Sequence, residues 1–334
     1  MGVITSLFAH KMIDAAAPAD ATALLRSIGL DPNAPRDPKL MIADVVYYDL
    51  LERMANQMDV STLPLRVGAS MRCDEYGAVG LAWKAAPTLR GSYTRVTRYA
   101  RLWTSVVEYE LQTMSDGALF LLHRTGLRRL GLRLSNEATL ASAVALSREV
   151  SPSGFAPKEV YLKHPAPAST TAHEAYFNCP VVFDAEHDAL LISKDSLSQP
   201  TRLGDEGITR FLLSHLDTEL AAIQVAEDTL AARAKATIAR ALSEGVPKMD
   251  DIARSLGLSA RSFHRRLGDE GLTFKLLTED TRRDLAEGML AENHHSLTEI
   301  AFLTGFSEQS AFTRAFKRWT GETPAHFRKA RAKS

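Results

Sequence analysis

The feature that most constrains this chain is a nine-residue pattern that occurs twice, forty-eight residues apart, near the C-terminus. The first copy reads Asp251-Ile252-Ala253-Arg254-Ser255-Leu256-Gly257-Leu258-Ser259. The second reads Glu299-Ile300-Ala301-Phe302-Leu303-Thr304-Gly305-Phe306-Ser307. Each predicts a short amphipathic helix opened by an acidic residue and stopped by glycine. The Ile-Ala pair supplies a flat apolar face that a second helix can cross closely. Gly257 and Gly305 supply a positive-φ exit that a side chain would resist. Ser259 and Ser307 are placed to cap the next helix by accepting from its free N–H groups. The product is a helix-turn-helix, which aims its following helix at the major groove of DNA. One copy would also suit a plain helical hairpin. Two copies, each followed by a cationic helix, point to DNA.

The following helices align with each other once a one-residue insertion is allowed. Ser262-Phe263-His264-Arg265-Arg266-Leu267 matches Ala311-Phe312-Thr313-Arg314-Ala315-Phe316. Phe263 and Leu267, like Phe312 and Phe316, stand four apart and share the core-facing side of their helix. The opposite faces carry Arg261, His264 and Arg265 in the first helix, then Gln309, Ser310, Thr313 and Arg314 in the second. Arg and Gln can bond guanine and adenine edges in pairs. Lys317 and Arg318 suit phosphates, which fix register without reading sequence. Any single arginine here fits an ordinary solvated face; the duplicated constellation does not.

The run from Gly305-Phe306-Ser307 through Ala311-Phe312-Thr313-Arg314-Ala315-Phe316-Lys317-Arg318-Trp319 to Gly321-Glu322-Thr323-Pro324-Ala325-His326-Phe327-Arg328 closely resembles the AraC/XylS family of bacterial transcription regulators. The match covers about residues 229–330. It implies two helix-turn-helix units joined by a rigid central helix, here about residues 273–291. Phe274, Leu277, Thr281, Leu285 and Met289 keep a helical stripe along it, with only Thr281 polar. By this resemblance the base-reading candidates are Arg261, His264 and Arg265, then Gln309, Ser310 and Arg314. Earlier in the chain, Arg66-Val67-Gly68, Tyr76-Gly77-Ala78-Val79-Gly80, Ala86-Pro87-Thr88-Leu89, Phe155-x-Pro157 and His164-Pro165 resemble the arabinose-binding-type N-terminal domain of one AraC subgroup. That label does not make arabinose the ligand, and no set of ligand residues transfers by motif.

Charge divides the chain in the same way. Its 40 basic and 40 acidic residues cancel overall. From Thr229 to Ser334 there are 18 Lys+Arg against 13 Asp+Glu, a net of +5, which leaves −5 for the remainder. A DNA-binding sign confined to one domain favours sequence-specific binding over an architectural coat.

The 334 residues give room for two or three domains. The expected fold is two-domain, α+β then all-α: an effector-binding domain over residues 20–204, a linker and possible dimerisation helix over 205–228, and a DNA-binding domain over 229–330. Helical periodicity falls at about residues 21–28, 38–58, 88–104 and 136–149. Strands are expected at 106–114 and 118–125 around Ser115-Asp116-Gly117, and shorter ones at 158–163, 180–183 and 189–193. Gly77 and Gly80 are read as serving a tight turn. Across 205–234, Ile208, Leu212, Leu216, Leu220 and Ile223 recur every three or four residues, as in a helix packed on its own domain or on a second subunit.

Trp83, Tyr93, Tyr99 and Trp103, with Phe120 and Phe177, concentrate aromatic surface in the first half, where few basic residues cluster in sequence. They are the candidate ligand-binding residues, and the expected effector is a small apolar or amphipathic metabolite. An aromatic stripe at helical spacing is also what a plain core requires.

No run of about 18 apolar residues could span a membrane, and residues 1–17 lack the pattern of a secretory signal. Two distant cysteines, Cys73 and Cys179, read as free thiols of a reducing cytoplasm. No cofactor, metal site or catalytic site is expected. His294 and His295 are adjacent and cannot share a metal as residues one helical turn apart do. His164, His173 and His187 lack metal-ligand spacing and are read as solvated loop histidines. Neither cysteine has the partners that a methyl-accepting thiolate needs. The leading expectation is therefore a ligand-responsive, promoter-specific regulator, a homodimer, which contacts RNA polymerase if it activates. The alternatives are a regulator whose first domain only dimerises, and an architectural DNA binder.

Overall fold

The computed structural model describes residues 2–18, 20–124, 129–227, 229–292 and 295–332. They form two compact units, Gly2–Leu220 and Ala221–Ser334. The first is mixed α and β and the second is all-helical, as the sequence predicts.

The first unit opens with strand β1 (Val3–Thr5), followed by helices α1 (Ser6–Ala16) and α2 (Ala21–Ser27). Strand β2 (Met41–Ala43) returns to pair antiparallel with β1, so residues 38–58 are not one helix. Helix α3 (Asp44–Ala55) starts only after that ladder. Three-residue strands are too short to show an alternation, and the pairing that makes them is nonlocal. Helices α4 (Leu63–Ser70), α5 (Gly77–Lys84) and α6 (Leu89–Tyr99) follow. The expected hairpin is β3 (Val107–Met114) and β4 (Gly117–Arg124), in register from Val107↔Arg124 to Met114↔Gly117. Thr125, expected to end β4, lies outside the described residues.

The long helix α7 (Leu130–Val150) precedes β5 (Glu159–Tyr161), α8 (Thr171–Phe177), β6 (Val181–Val182), β7 (Asp188–Ser193) and α9 (Lys194–Ser198). The sheet order is β3-β4-β7-β5-β6, antiparallel except for the parallel β5–β6 pair. Phe120 and Leu122 of β4, Leu190 and Ile192 of β7, and Leu140 and Val144 of α7 share one core. Helix α7 approaches α4 so closely that a Cβ on Gly68 would stand 2.3 Å from that of Ala141. Gly80 does not shape a turn: it lies within α5, where a Cβ would come 1.7 Å from the Cys73 carbonyl oxygen.

Helix α10 (Glu206–Glu227) closes the first unit and enters the second. Leu212 and Leu216 of its apolar stripe are buried in the first unit's own core with Tyr99 and Trp103. Ile208 is exposed instead.

The second unit comprises α11 (Leu230–Ala241), α12 (Met249–Ser255), α13 (Ala260–Asp269), α14 (Phe274–Glu292), α15 (Leu297–Leu303), α16 (Gln309–Thr320) and α17 (Pro324–Ala332). It has two small cores. Leu277 of α14 joins Ile238, Phe263 and Leu267 in the first, while Ala286 and Leu290 join Ile300, Phe312 and Phe316 in the second. One helix thus braces both. Thr281, the polar residue of its stripe, is buried with its hydroxyl donating to the Leu277 carbonyl at 2.7 Å.

Candidate nucleic-acid interface and cavities

Helices α12 and α13 form one helix-turn-helix and α15 and α16 the other. Gly257 and Gly305 leave the first helices at φ +72° and +77°, the region expected of them. Ile252, Ala253, Ile300 and Ala301 are buried. Ser259 caps α13, its hydroxyl oxygen accepting from the Ser262 N–H at 3.2 Å. Ser307 does not cap α16. Glu308 takes that position without a side-chain cap bond, because the inserted residue moves the helix start one place on. The side-chain cap in this unit belongs to α15, where Ser296 and Glu299 form a reciprocal capping box.

Both recognition helices bury their apolar pairs and expose the opposite face. Arg261, His264, Arg265, Arg314 and Lys317 are exposed, and their side chains make no protein hydrogen bond or ion pair among the described residues. Gln309 accepts from the Thr298 hydroxyl at 2.9 Å, and exposed Ser310 donates to Glu308 at 3.1 Å. Thr313 is half-buried and donates to the Gln309 carbonyl, so its hydroxyl is turned along the helix. Arg318 reaches Glu279 of the central helix at 3.5 Å.

Two cavities of the first unit bear on function. One, of about 50 Å³, is lined by aromatic rings including Tyr76, Trp83, Trp103 and Tyr109, with the hydroxyls of Ser135 and Ser142. Trp83 and Trp103 are thus placed on a cavity wall, and the buried Trp83 indole N–H has no acceptor. Tyr93 and Tyr99 are wholly buried core residues whose hydroxyls bond Ser147 and Asp217. The other cavity is larger, about 580 Å³, and basic: Arg124, Arg129, Arg133 and Lys163 line it. Three of these cations lie close in sequence, at 124, 129 and 133, and the fold brings Lys163 to them.

His164 and His173 are not solvated loop residues. Both are buried, and their Nε2 atoms meet the two oxygens of buried Glu137 at 3.1 and 2.8 Å. His187 is exposed, and His294 lies outside the described residues. No group of side chains suited to a metal occurs among the described residues. Burial pushes the Cys73 thiol up, and the Cys179 thiol up to about 11, the opposite of what a nucleophile needs.

The profile described as "Arabinose-binding domain of AraC transcription regulator, N-term" matches residues 19–201, and a helix-turn-helix domain profile matches residues 252–330. The chain belongs to the AraC family of transcription regulators. Among its relatives, the ornithine utilization regulator of Pseudomonas aeruginosa is 26% identical over 80% of this chain and 78% of its own length. The regulator VirS of Mycobacterium tuberculosis is 25% identical over 93% and 91%. The solved structure of the transcriptional regulator CdpR from Pseudomonas aeruginosa aligns over 96% of this chain and 98% of its own, at 20% identity and a TM-score of 0.46. The two sequence relatives are regulators, and this AraC-family chain is a DNA-binding regulator rather than an enzyme.

One residue that shapes the second helix-turn-helix of this regulator was not evident from the sequence. Arg282 of α14 donates to the carbonyls of Thr304 and Gly305 at 2.8 and 3.2 Å and lies over the Phe306 ring at 3.6 Å. It ties the central helix to the turn of the second helix-turn-helix. Its place beside Thr281, the one polar position of the helix's apolar stripe, was the local signal.

Proposed function

We propose that this AraC-family protein is a promoter-specific activator whose DNA affinity responds to a small molecule. Arg261, His264 and Arg265 of the first unit and Gln309, Ser310 and Arg314 of the second read bases, with Thr313 shaping the helix face. Lys317 and Arg318 hold phosphates. The observation that carries this reading is the pair of helices that bury their apolar faces while the side chains of Arg261, Arg265, Arg314 and Lys317 stand exposed and unpaired among the described residues. Residues 229–330 form the DNA-binding part, 20–204 the effector part, and 205–228 the link between them. As an activator the protein contacts RNA polymerase. Exposed Ile208 and Phe211, the latter 74% accessible, support pairing of two copies along α10.

The effector of this reading enters the aromatic cavity, with Trp83 and Trp103 on its wall and Tyr93 and Tyr99 supporting it from the core. The unmet Trp83 N–H amid apolar walls favours an amphipathic molecule with a polar acceptor. At about 50 Å³ the cavity must open to admit it, since an apolar cavity that takes benzene measures roughly 150 Å³. The test is selection of duplexes from a random library, then affinity for the winner with and without a metabolite panel. Equal affinity for selected and random DNA would return the architectural reading. Affinity that no compound shifts would leave a first domain that only dimerises.

A further inference from the structure

We propose that the basic cavity of the first unit is a second ligand site, for a small organic carboxylate that also carries a hydrogen-bond donor. A hydroxy acid or an amino acid has this chemistry. The cavity, about 580 Å³, falls within the roughly 300–1,000 Å³ of small-molecule sites. Its cations come from three elements: Arg124 ends β4, Arg129 and Arg133 flank the start of α7, and Lys163 follows β5. Arg129 is neutralised by Asp49 and by Glu52, the latter at 2.7 Å.

The side chains of the other three cations make no ion pair among the described residues, although Asp188 lines the same cavity. Arg124 donates to the Tyr48 hydroxyl at 2.9 Å and the Ser135 hydroxyl at 2.8 Å, both uncharged, and its Nε is buried without a partner. The Arg133 side chain makes no hydrogen bond or ion pair among the described residues, and its Nε is likewise buried and unpartnered. The Lys163 side chain is exposed and unpaired among the described residues. Two half-buried guanidinium groups without a counter-charge are costly. They also stand near the N-terminal end of a 21-residue helix, the end that already favours an anion. A carboxylate between Arg124, Arg133 and Lys163 answers all of these groups.

The opposite polarity is offered by Asn136. Its amide nitrogen donates to Asp188 Oδ2 at 2.8 Å, and because an ionised carboxylate only accepts, the amide orientation is fixed. Asp188 Oδ1 is engaged by the Lys163 backbone N–H at 2.9 Å. Asn136 Oδ1 is left buried with no partner, a spare acceptor beside spare donors. Leu130 and Leu132 supply an apolar wall for the carbon skeleton. A simple inorganic anion would satisfy the arginines and leave Asn136 unmet. A hydroxy or amino acid satisfies both.

The site is distinct from the aromatic cavity, and the test reads binding directly, so its failure leaves the DNA reading intact. The full-length protein is titrated calorimetrically with L-malate, L-glutamate, succinate and inorganic phosphate. We expect malate or glutamate to bind at millimolar Kd or tighter, with succinate and phosphate weaker. Arg133→Gln and Lys163→Gln should each weaken that binding about tenfold or more, the loss of one charge-assisted contact. Asn136→Leu should erase the preference over succinate. The unliganded melting point reports any folding defect; if Arg133→Gln has one, Lys163→Gln at its exposed position carries the test. Absence of malate and glutamate binding, unchanged binding in Lys163→Gln, or phosphate or succinate binding as tightly as malate would each overturn the assignment.

Discussion

At the scale of the residue, two side chains one helical turn apart on α16 should behave differently. The Arg314 side chain stands on the exposed face with no partner among the described residues, opposite buried Phe312 and Phe316. If it bonds a guanine edge, Arg314→Ala costs about 1–3 kcal/mol on the selected sequence and little on random DNA. Lys317→Ala should weaken both alike and lower the salt slope by about one. Titrations of the two variants on both DNAs at several salt concentrations check this; identical losses would refute the division of roles. In the first unit Glu137 makes an acid-sensitive tie. Burial alone would raise its carboxyl, but the bonds from His164 and His173 and their charges hold it below the ordinary glutamate value. A depressed folded value means stability that is complete above the unfolded value, about 4.3, and lost as pH falls through the folded one. Melting midpoints of the wild type should therefore fall steeply below that pH. Glu137→Gln should be less stable at neutral pH by about 2 kcal/mol and should show a flatter acid limb. An acid limb as steep as that of the wild type would remove Glu137 as its cause.

Among elements, the central helix determines how the two DNA-reading helices are spaced. Helix α14 has 19 residues, which at about 1.5 Å each gives roughly 28 Å, near the ~34 Å between successive major-groove faces. A monomer footprint should show two protected patches one turn apart, and half a turn of DNA inserted between them should abolish binding. Arg282 makes the brace specific, so Arg282→Met should destabilise the second helix-turn-helix by about 2–4 kcal/mol. Its footprint should lose one patch before the other; uniform weakening of both would deny it that role. These elements were legible because their determinants are local: Gly257, Gly305, the Ile-Ala pairs and the Phe263/Leu267 and Phe312/Phe316 spacings all act within one or two turns. Ser307 was misplaced by a single inserted residue, which hands the cap position to Glu308. The features of the first unit that escaped are nonlocal. Strands β1 and β2 exist only by pairing across α1 and α2. The sheet register that sets Leu122 opposite Asp188 and Val160 opposite Leu190 brings Lys163 and His164 to α7. No spacing along the chain announces that Arg124, Arg133 and Lys163 share a cavity, or that His164 and His173 share Glu137.

For the whole molecule the question is how a ligand in one unit can alter DNA binding by the other. Helix α10 is the covalent connection, and its apolar positions are not equivalent. Leu212 and Leu216 are buried in the first unit's core beside Tyr99 and Trp103, while Ile208 and Phe211 are exposed. Tyr99 also donates to Asp217 on the same helix, and Arg98 pairs with that carboxylate at 2.8 Å. The aromatic cavity shares Trp103 with this helix-packing cluster, so opening the cavity must move a residue on which α10 rests. A ligand can shift the population of α10 arrangements only by binding one of them better. Weakening the tie should therefore mimic or blunt the ligand: Asp217→Asn removes the charge partner of Arg98 and leaves a neutral acceptor for Tyr99. That variant should bind the selected DNA with an affinity less dependent on effector than the wild type, by about fivefold or more if coupling is typical. Sedimentation and DNA titration of wild type, Asp217→Asn and the fragment 229–334, each with and without the effector, supply the comparison. The fragment should ignore the effector altogether. A fragment that responds as the full chain does would place the effector's action in the DNA-binding part, and an Asp217→Asn variant with undiminished coupling would show that the signal does not pass through this helix contact.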